Sequence, residues 1–232
     1  MTDPRVCAFG DAALLVEFGQ RADLELNARV HALARALEAD RQPTLRSLVP
    51  GYVSLLVEFD PLQVELAAME TWIRAHLAGM DVASAPAGRR RTIPTVYGGE
   101  WGPDLDEVAT RLGLAPTAVV AQHTTAELRV YMLGFSPGFP YLGALPETLA
   151  LPRRATPRER VPVGSVAIAE RQTGIYSREM PGGWHVLGRT PVRLFREDRH
   201  PPAYLAPGDR VRFVAIDPSD WDRYASDVPD EW

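Results

Sequence analysis

The amino-acid sequence predicts an α+β N-terminal domain followed by a mainly-β barrel domain, and two patterns support this. Within residues 1–81, short apolar runs alternate with two segments in which apolar residues recur at helical spacing. Residues 92–216 instead contain many short β-rich runs separated by glycine and proline, which is typical of a barrel or sandwich rather than a parallel sheet. Residues 82–91 are predicted to be a linker, and residues 217–232 an acidic C-terminal tail.

The N-terminal domain is predicted to contain two pairs of strands, each pair followed by a helix. The predicted strands are Val6–Phe9, Ala13–Phe18, Leu45–Val49 and Tyr52–Phe59. The first helix is predicted over about Asp23–Ala39 from its apolar spacing. The second is predicted to begin at Asp60-Pro61, an N-cap followed by a first-turn proline. Its apolar stripe is Leu62, Leu66, Met69, Ile73 and Leu77.

The C-terminal domain is predicted to begin with two short helices, Pro103–Leu112 and Pro116–His123. Short β-rich runs then follow one another, with glycine or proline between them. The predicted strands lie within residues 128–133, 161–168, 174–177, 184–188, 192–195 and 209–216.

The composition excludes several classes of function. The 232-residue chain has 25 basic residues, all of them arginine, and 30 acidic residues, so its net charge of −5 argues against a nucleic-acid binder. The absence of lysine excludes a Schiff base and a P-loop lysine. The single cysteine, Cys7, excludes an internal disulfide, and the five histidines lack metal-ligand spacing, so no metal site is predicted. Without a signal-peptide pattern or a membrane-length apolar stretch, we expect a soluble cytoplasmic protein that does not contact a membrane.

Arginine is concentrated in the C-terminal domain. Residues 1–81 contain seven arginines and twelve acidic residues, whereas residues 150–215 contain twelve arginines and six acidic residues. Four of these arginines lie within residues 153–160. Such a cluster is either a solvated basic face or a site for carboxylate or phosphate, which guanidinium groups bind through paired hydrogen bonds.

Two glycine-rich segments are candidate binding loops. Gly134–Gly143, GFSPGFPYLG, combines glycine, proline and aromatic residues, and is either a rigid packed loop or a preorganised binding loop. In Pro181–Arg189, PGGWHVLGR, the glycine pair could present backbone N–H groups to an anion. The tryptophan, histidine and arginine of this segment offer a stacking face, a titratable ring and a fixed positive charge.

The chain resembles the family that includes the B subunit of bacterial 5-oxoprolinase, the sporulation kinase inhibitor KipI and proteins described as allophanate hydrolase subunit 1. The matching segments are His123–Gly143, Leu151–Ala169, Gln172–Ser177, Pro181–Phe195 and Pro207–Val214. A weaker collinear similarity extends through the N-terminal part. The chain departs from the family at Glu170-Arg171, where many relatives have two glycines, and also at Ser177 and Met180. If this loop contacts substrate, the specificity differs from that of the typical member.

The resemblance implies an α+β N-terminal domain and a cyclophilin-like β-barrel. It also implies two partners, namely a homologous C subunit (KipA-like, or allophanate hydrolase subunit 2) and the A subunit of 5-oxoprolinase. Such complexes open the lactam of 5-oxoproline to glutamate at the expense of ATP. We therefore expect an ATP-dependent amidohydrolase subunit that is inactive alone, works on a small amide or lactam, and uses ATP bound with or by the partner subunit.

The residues of the matching segments then define a predicted site. The predicted substrate-binding residues are Phe135, Pro137, Gly138, Tyr141, Arg153, Arg154, Gln172, Thr173, Gly182, Gly183 and Trp184. The predicted catalytic residues are His185, in a proton-transfer or orienting role, and Arg189, which with Arg154 would bind a carboxylate or phosphorylated lactam oxygen. The amides of the glycine pair would stabilise developing negative charge.

Other functions stay open at this point. A KipI-like protein would inhibit a sensor histidine kinase, and a related subunit would serve a urea carboxylase or an allophanate-type amidohydrolase. A prolyl isomerase rests on fold-level analogy alone. Neighbouring genes for the A and C subunits would favour the 5-oxoprolinase, whereas an isolated gene beside a sensor kinase would favour the inhibitor.

Overall fold

The computed structural model describes residues 3–80, 88–143 and 145–226. The chain divides into two compact units, Met1–Pro86 and Ala87–Trp232. None of the helices in the described residues is long and apolar enough to cross a membrane.

The N-terminal unit is a four-stranded antiparallel sheet with two helices. Its elements are β1 (Arg5–Ala8), β2 (Ala13–Glu17), α1 (Leu24–Ala39), β3 (Leu45–Pro50), β4 (Ser54–Phe59) and α2 (Leu66–Ala78). The sheet order is β1-β2-β4-β3, and its inward side chains form one apolar core with those of both helices. Asp23 begins α1 by accepting hydrogen bonds from the backbone N–H groups of Glu25 and Leu26. Both predicted pairs of strands and the first predicted helix are present in the structure.

The predicted start of the second helix is wrong. Asp60 instead closes a turn, because its carboxylate accepts hydrogen bonds from the Leu62 N–H (3.1 Å) and the Gln63 side chain (2.8 Å). Leu62 is 93% exposed and does not belong to the apolar stripe. Met69 and Ile73 of α2 are buried as predicted.

The C-terminal unit is built on a closed seven-stranded barrel. Its elements are β5 (Arg90–Tyr97), α3 (Leu105–Leu112), α4 (Pro116–Thr125), β6 (Leu128–Leu133), β7 (Pro140–Gly143), β8 (Arg158–Val161), β9 (Ser165–Ala169), β10 (Gln172–Ile175), β11 (Met180–Gly182), β12 (His185–Arg189), β13 (Arg210–Ala215) and α5 (Trp221–Ser226). The barrel order is β10-β7-β6-β13-β5-β12-β9, and β8 and β11 form a separate antiparallel pair. The predicted barrel is confirmed, as are the two short helices α3 and α4. The finer cyclophilin-like assignment stays a prediction.

Strand β5 was not predicted, and its first residues, Arg90 and Arg91, fall within the predicted linker. The strand contains Pro94, which has no N–H to donate. Pro94 is tolerated because β12 pairs only with Val96 and Tyr97 of β5 and therefore needs no N–H from residue 94. Strand β13 lies parallel to β5 on the other side. The remaining linker positions, 82–87, lie outside the described residues.

Two further segments differ from prediction. Residues 192–195 do not form a regular strand, and only Phe195 makes an isolated bridge, to Ala203. The first part of the predicted tail forms a turn capped by Asp217 and then helix α5. Trp221 of α5 packs on Trp101, with ring centroids 4.4 Å apart. Residues 227–232 of the tail lie outside the described residues.

Candidate functional site

A cluster of four aromatic side chains lies on the outer face of the barrel. Phe139 is at its centre, with its ring edge-on to Tyr141, Tyr176 and Trp184 at centroid distances of 5.0, 5.4 and 5.9 Å. The cluster packs on Ala167 and Ala169 of β9, whereas Val166 and Ile168 belong to the barrel core. Successive side chains of a strand point to opposite faces, so the aromatic cluster lies outside the barrel. Tyr141 is its half-buried, accessible member.

Arg153 places a positive charge beside this cluster. Its guanidinium lowers the pKa of both nearby phenols, although burial is the larger effect and leaves the pKa of Tyr141 and Tyr176 above the ordinary value. The phenols therefore stay protonated at neutral pH. Arg153 is exposed and has no hydrogen-bond or ion-pair partner within the described parts of the chain. The surface combines a cation, aromatic faces and neutral hydroxyl groups.

Two neighbouring arginines are held by a buried carboxylate. Asp104, which precedes α3, accepts hydrogen bonds from Arg154 (2.9 Å) and from both terminal nitrogens of Arg158 (2.7 and 2.6 Å). It also accepts the backbone N–H of Val186 on β12 (2.7 Å). The Arg154 backbone N–H in turn donates to the Gly183 carbonyl (2.9 Å). Arg154 is therefore ion-paired with Asp104, whereas Arg153 has no such partner in the described residues, and the ligand-binding roles predicted for both arginines stay predictions.

The charges around Asp104 also determine its ionisation. Burial raises the pKa of this carboxyl, but the Arg158 hydrogen bond, the Val186 N–H and the two guanidinium charges together outweigh burial, so the pKa lies below its ordinary value. Asp104 is therefore an anion at neutral pH with its acceptor positions occupied, and it is not a proton acceptor for a substrate.

The loop before β7 extends the aromatic cluster to the surface. Phe135 has a φ of 65° and is 63% exposed, and its ring lies 5.6 Å from that of Phe139. A left-handed backbone conformation is strained for phenylalanine, so the surrounding structure must hold Phe135 in it. In this conformation its ring is exposed. Pro137 is also exposed. Gly138 has a φ of 73°, and a Cβ there would lie 2.9 Å from the Leu194 carbonyl oxygen, so glycine is required.

The two residues of the glycine pair before β12 make different packing and backbone contacts in the structure. A methyl group on Gly182 would overlap the Tyr176 phenol. Gly182 is thus needed for close packing of Tyr176. Gly183 contributes its carbonyl, which is occupied by Arg154. An amide site for developing charge stays a prediction at these two residues.

Two predicted residues, His185 and Thr173, lie behind the surface rather than on it. His185 is fully buried, and its Nε2–H donates to the Pro152 carbonyl oxygen (3.0 Å). Its Nδ1 is buried without a hydrogen-bond partner in the described residues, and the proton-transfer or orienting role of His185 stays a prediction. Thr173 is also fully buried and donates to the Ala167 carbonyl (3.0 Å), so it is not a surface ligand. Gln172 is half-buried at the start of β10.

Thr173 belongs to a buried polar chain that sequence reasoning missed. Because its hydroxyl hydrogen goes to Ala167, it accepts a hydrogen bond from His123 Nε2 (3.0 Å). His123 Nδ1 therefore accepts the Tyr97 hydroxyl hydrogen (2.7 Å). Burial lowers the pKa of His123 to about 3, which keeps the ring neutral. This chain ties β5, α4 and β10 together inside the unit.

Arg189 lies apart from the arginine and aromatic groups described so far. Its Nε donates to the Val163 carbonyl (2.7 Å), and its guanidinium lies over the rings of Trp101 and Trp221 at 6.0 and 5.8 Å. No direct contact joins it to Arg153, Tyr141 or the other members of that surface within the described residues. The predicted site residues are therefore divided between two places on the unit.

The site also depends on residues that the sequence did not single out for it. Asp104 precedes a predicted helix, Arg158 was one of four clustered arginines, and Tyr176 lay within a matching segment. None of the three has a local signal for its role, because their partners lie far along the chain. Glu170, by contrast, has a φ of 54°, a conformation that favours the glycine common in relatives.

The sequence comparison decides the family. The family described as "Carboxyltransferase domain, subdomain C and D" matches residues 4–205. The chain belongs to this family. A relative from Bacillus subtilis (strain 168), named as the B subunit of 5-oxoprolinase, is 40% identical over 227 residues, which cover 93% of this chain and 94% of the relative. The resemblance stated from the motifs is therefore confirmed.

Two solved structures have a similar fold. The crystal structure of TTHA0988 is 41% identical, has a TM-score of 0.79 and covers 88% of this chain, which spans only 40% of the TTHA0988 chain. The Kluyveromyces lactis urea carboxylase is 19% identical, with a TM-score of 0.77 over 97% of this chain and 23% of that one. This second likeness shows the carboxyltransferase-domain fold alone. The kinase-inhibitor and urea carboxylase alternatives stay predictions.

Proposed function

We propose that this protein is the B subunit of an ATP-dependent 5-oxoprolinase, which opens the lactam of 5-oxo-L-proline to L-glutamate together with the A and C subunits. The observation that carries the proposal is the similarity to a protein of that name over 94% of its length. The surface formed by Arg153 and Tyr141, with the buried Trp184 packed behind Tyr141, is chemically suited to a small, flat ring that carries a carboxylate.

Arg153 is proposed to bind the substrate carboxylate. A guanidinium offers two parallel N–H donors, which match the two oxygens of a carboxylate. Arg154 and Arg158 are already paired with Asp104, so they position the segment that carries Arg153. The half-buried Tyr141 would contact the flat ring of the substrate, and the buried ring of Trp184, 6.0 Å away, supports Tyr141 from behind.

The same surface lacks groups for the rest of the reaction. Among the described residues around it, the carboxylate of Asp104 is occupied by cations and His185 is buried. Binding the phosphates of a nucleoside triphosphate needs several cations or a nest of backbone N–H groups. Arg153 alone does not supply them, so we propose that ATP and the proton transfers are handled with or by the partner subunits. The chain is then inactive alone.

The test is to co-express this chain with its partners, the A and C subunits, and to measure ATP-dependent glutamate release from 5-oxoproline. Because a charge-assisted hydrogen bond contributes about 1.5–3 kcal/mol, Arg153→Gln should raise KM by about tenfold to a hundredfold. The matched control is Arg212→Gln, an exposed arginine on β13, a barrel strand that does not border the strands of the aromatic cluster. Its KM should stay within about twofold of the wild-type value.

Two results would refute the proposal in different ways. Absence of glutamate release from the complete wild-type complex would refute the reaction itself. Normal activity with an Arg153→Gln KM equal to that of Arg212→Gln would leave the reaction intact and refute the assignment of the carboxylate to Arg153.

A further inference from the structure

A pocket separate from the aromatic surface lies where the residues after β12 meet α5. Its volume is about 390 Å³, which falls within the range of small-molecule sites. Its apolar wall includes Val163, Val192, Phe195 and Trp221. The charged side chains that line it are Arg189 and Arg193, and no acidic side chain is among its lining residues in the described chain. The pocket is thus apolar with a cationic border.

Arg189 is fixed in an orientation suited to ligand binding. Its Nε is held by the Val163 carbonyl at 2.7 Å, and its guanidinium packs over Trp101 and Trp221. Its two terminal nitrogens have no hydrogen-bond partner among residues 3–80, 88–143 and 145–226. A guanidinium held by one edge over indole rings keeps its other donors available at little entropic cost.

Arg193 adds a second cation that the protein does not neutralise. It is exposed and makes no ion pair in the described part of the chain. Its charge lowers the pKa of Asp198, but the carboxylate of Asp198 is paired with Arg196 at 2.7 Å. Both pocket arginines therefore remain free to attract an anion.

The backbone groups of the pocket favour a carboxylate over a phosphate. The N–H of Gly164 donates to the Tyr176 carbonyl (2.7 Å), that of Thr190 to the Gly164 carbonyl (2.9 Å), and that of Val192 to the Thr190 hydroxyl (3.2 Å). These occupied N–H groups cannot form the nest that phosphate sites use. The two terminal nitrogens of Arg189 form a planar fork, which matches a carboxylate.

We infer that this pocket binds a carboxylate carried on a flat apolar body, with the carboxylate on Arg189 and the body against Trp221 and Phe195. Arg193 strengthens the attraction from the border of the pocket. The inference does not rest on the proposed reaction, because binding to this chain requires neither partner subunits nor ATP. It also assigns Arg189 to a site of its own rather than to the surface around Arg153.

The experiment titrates the full-length chain with benzoate and follows the indole N–H resonances of Trp101 and Trp221 by NMR. Benzoate should produce saturable shifts at both indoles. Arg189→Gln should weaken binding by about tenfold or more, and Arg193→Gln by about threefold. Arg212→Gln, the matched exposed control, should bind benzoate as the wild type does. Benzamide, which has the same shape without the charge, and inorganic phosphate, which has charge without the flat body, should each bind at least about tenfold more weakly.

Several outcomes would overturn the inference. Benzoate shifts that do not saturate, or that spare Trp221, would show that the pocket is not the binding site. Equal affinities of Arg189→Gln and Arg212→Gln would show that Arg189 does not hold the carboxylate. Phosphate or benzamide binding as tightly as benzoate would show that the pocket recognises charge or apolar shape alone. Since Arg193 is exposed, its variant tests the charge requirement even if Arg189→Gln unfolds.

Discussion

Replacing Asp104 with asparagine should destabilise the C-terminal unit strongly, because this one carboxylate neutralises two arginines. Its side chain is 3% exposed, while those of Arg154 and Arg158 are 23% and 26% exposed. Removing one partner of a buried ion pair costs about 3–5 kcal/mol, since the remaining charge is left without compensation. The guanidinium groups keep some contact with water, so the lower end applies. We expect Asp104→Asn to lower the free energy of unfolding by about 3 kcal/mol.

The assay is urea unfolding, followed by far-UV circular dichroism and tryptophan fluorescence. For a slope of about 2–3 kcal/mol/M, the expected loss moves the midpoint by about 1–1.5 M. The matched control is Glu107→Gln, which removes the same charge from an exposed residue 3.8 Å from Arg154. Exposed ion pairs contribute about 0–1 kcal/mol, so this variant should hardly move the midpoint. Equal midpoint shifts for the two variants would refute the reasoning.

The acid dependence of the Asp104 contribution supplies a second check. The native pKa of Asp104 lies below its ordinary value of 3.8, so the unfolded state binds the proton first as pH falls. The stability that Asp104 contributes is therefore present above pH 3.8 and is lost as pH falls through the native pKa. The difference between wild type and Asp104→Asn should be constant near neutral pH and shrink below pH 3.8. A difference that grows on acidification would contradict the assigned charges.

Three other substitutions and one titration test local geometry. Gly182→Ala should cost about 1–3 kcal/mol in thermal unfolding, because its methyl group meets the Tyr176 phenol. Gly183→Ala should be nearly neutral, since its nearest neighbour would lie 3.7 Å away. His123 should show the Nε2–H tautomer by NMR and should not titrate between pH 8 and about 5. Between pH 6.5 and about 3 only the unfolded state protonates His123, so the free energy of unfolding falls as the pH is lowered through this range. Tyr97→Phe leaves Nδ1 of His123 without a partner and should lower the free energy of unfolding by about 1–3 kcal/mol.

Local signals predicted the elements whose structure depends on neighbouring residues. The hairpin of β1 and β2 follows from its turn residues, and helix α1 follows from its apolar spacing. The same kind of signal failed at Asp60-Pro61, where the Asp60 carboxylate closes a turn instead of capping the start of a helix. Residues 192–195 have strand-like composition but lack a regular partner strand, and β-propensity without pairing does not produce a strand.

Strand β5 shows the opposite case. Its proline and its position beside a linker-like segment concealed it, and its main partner, β13, lies about 120 residues further along the chain. Pairing over that separation leaves no local pattern, so sequence reasoning could not supply it. The closed barrel was predicted as a class, while its strand order depended on such pairings.

The sequence by itself determined the family, the two-part organisation and the restriction of cationic groups to arginine, because motifs and composition are properties of the chain alone. It also brought forward Arg153 and Tyr141, which lie near one another at the surface, and Trp184, which is buried against Tyr141. Only the tertiary structure decided which candidates are available. It buried His185 and Thr173, paired Arg154 with Asp104, and placed Arg189 in a separate pocket. Availability depends on burial and on partners far along the chain, and those are properties of the packed fold.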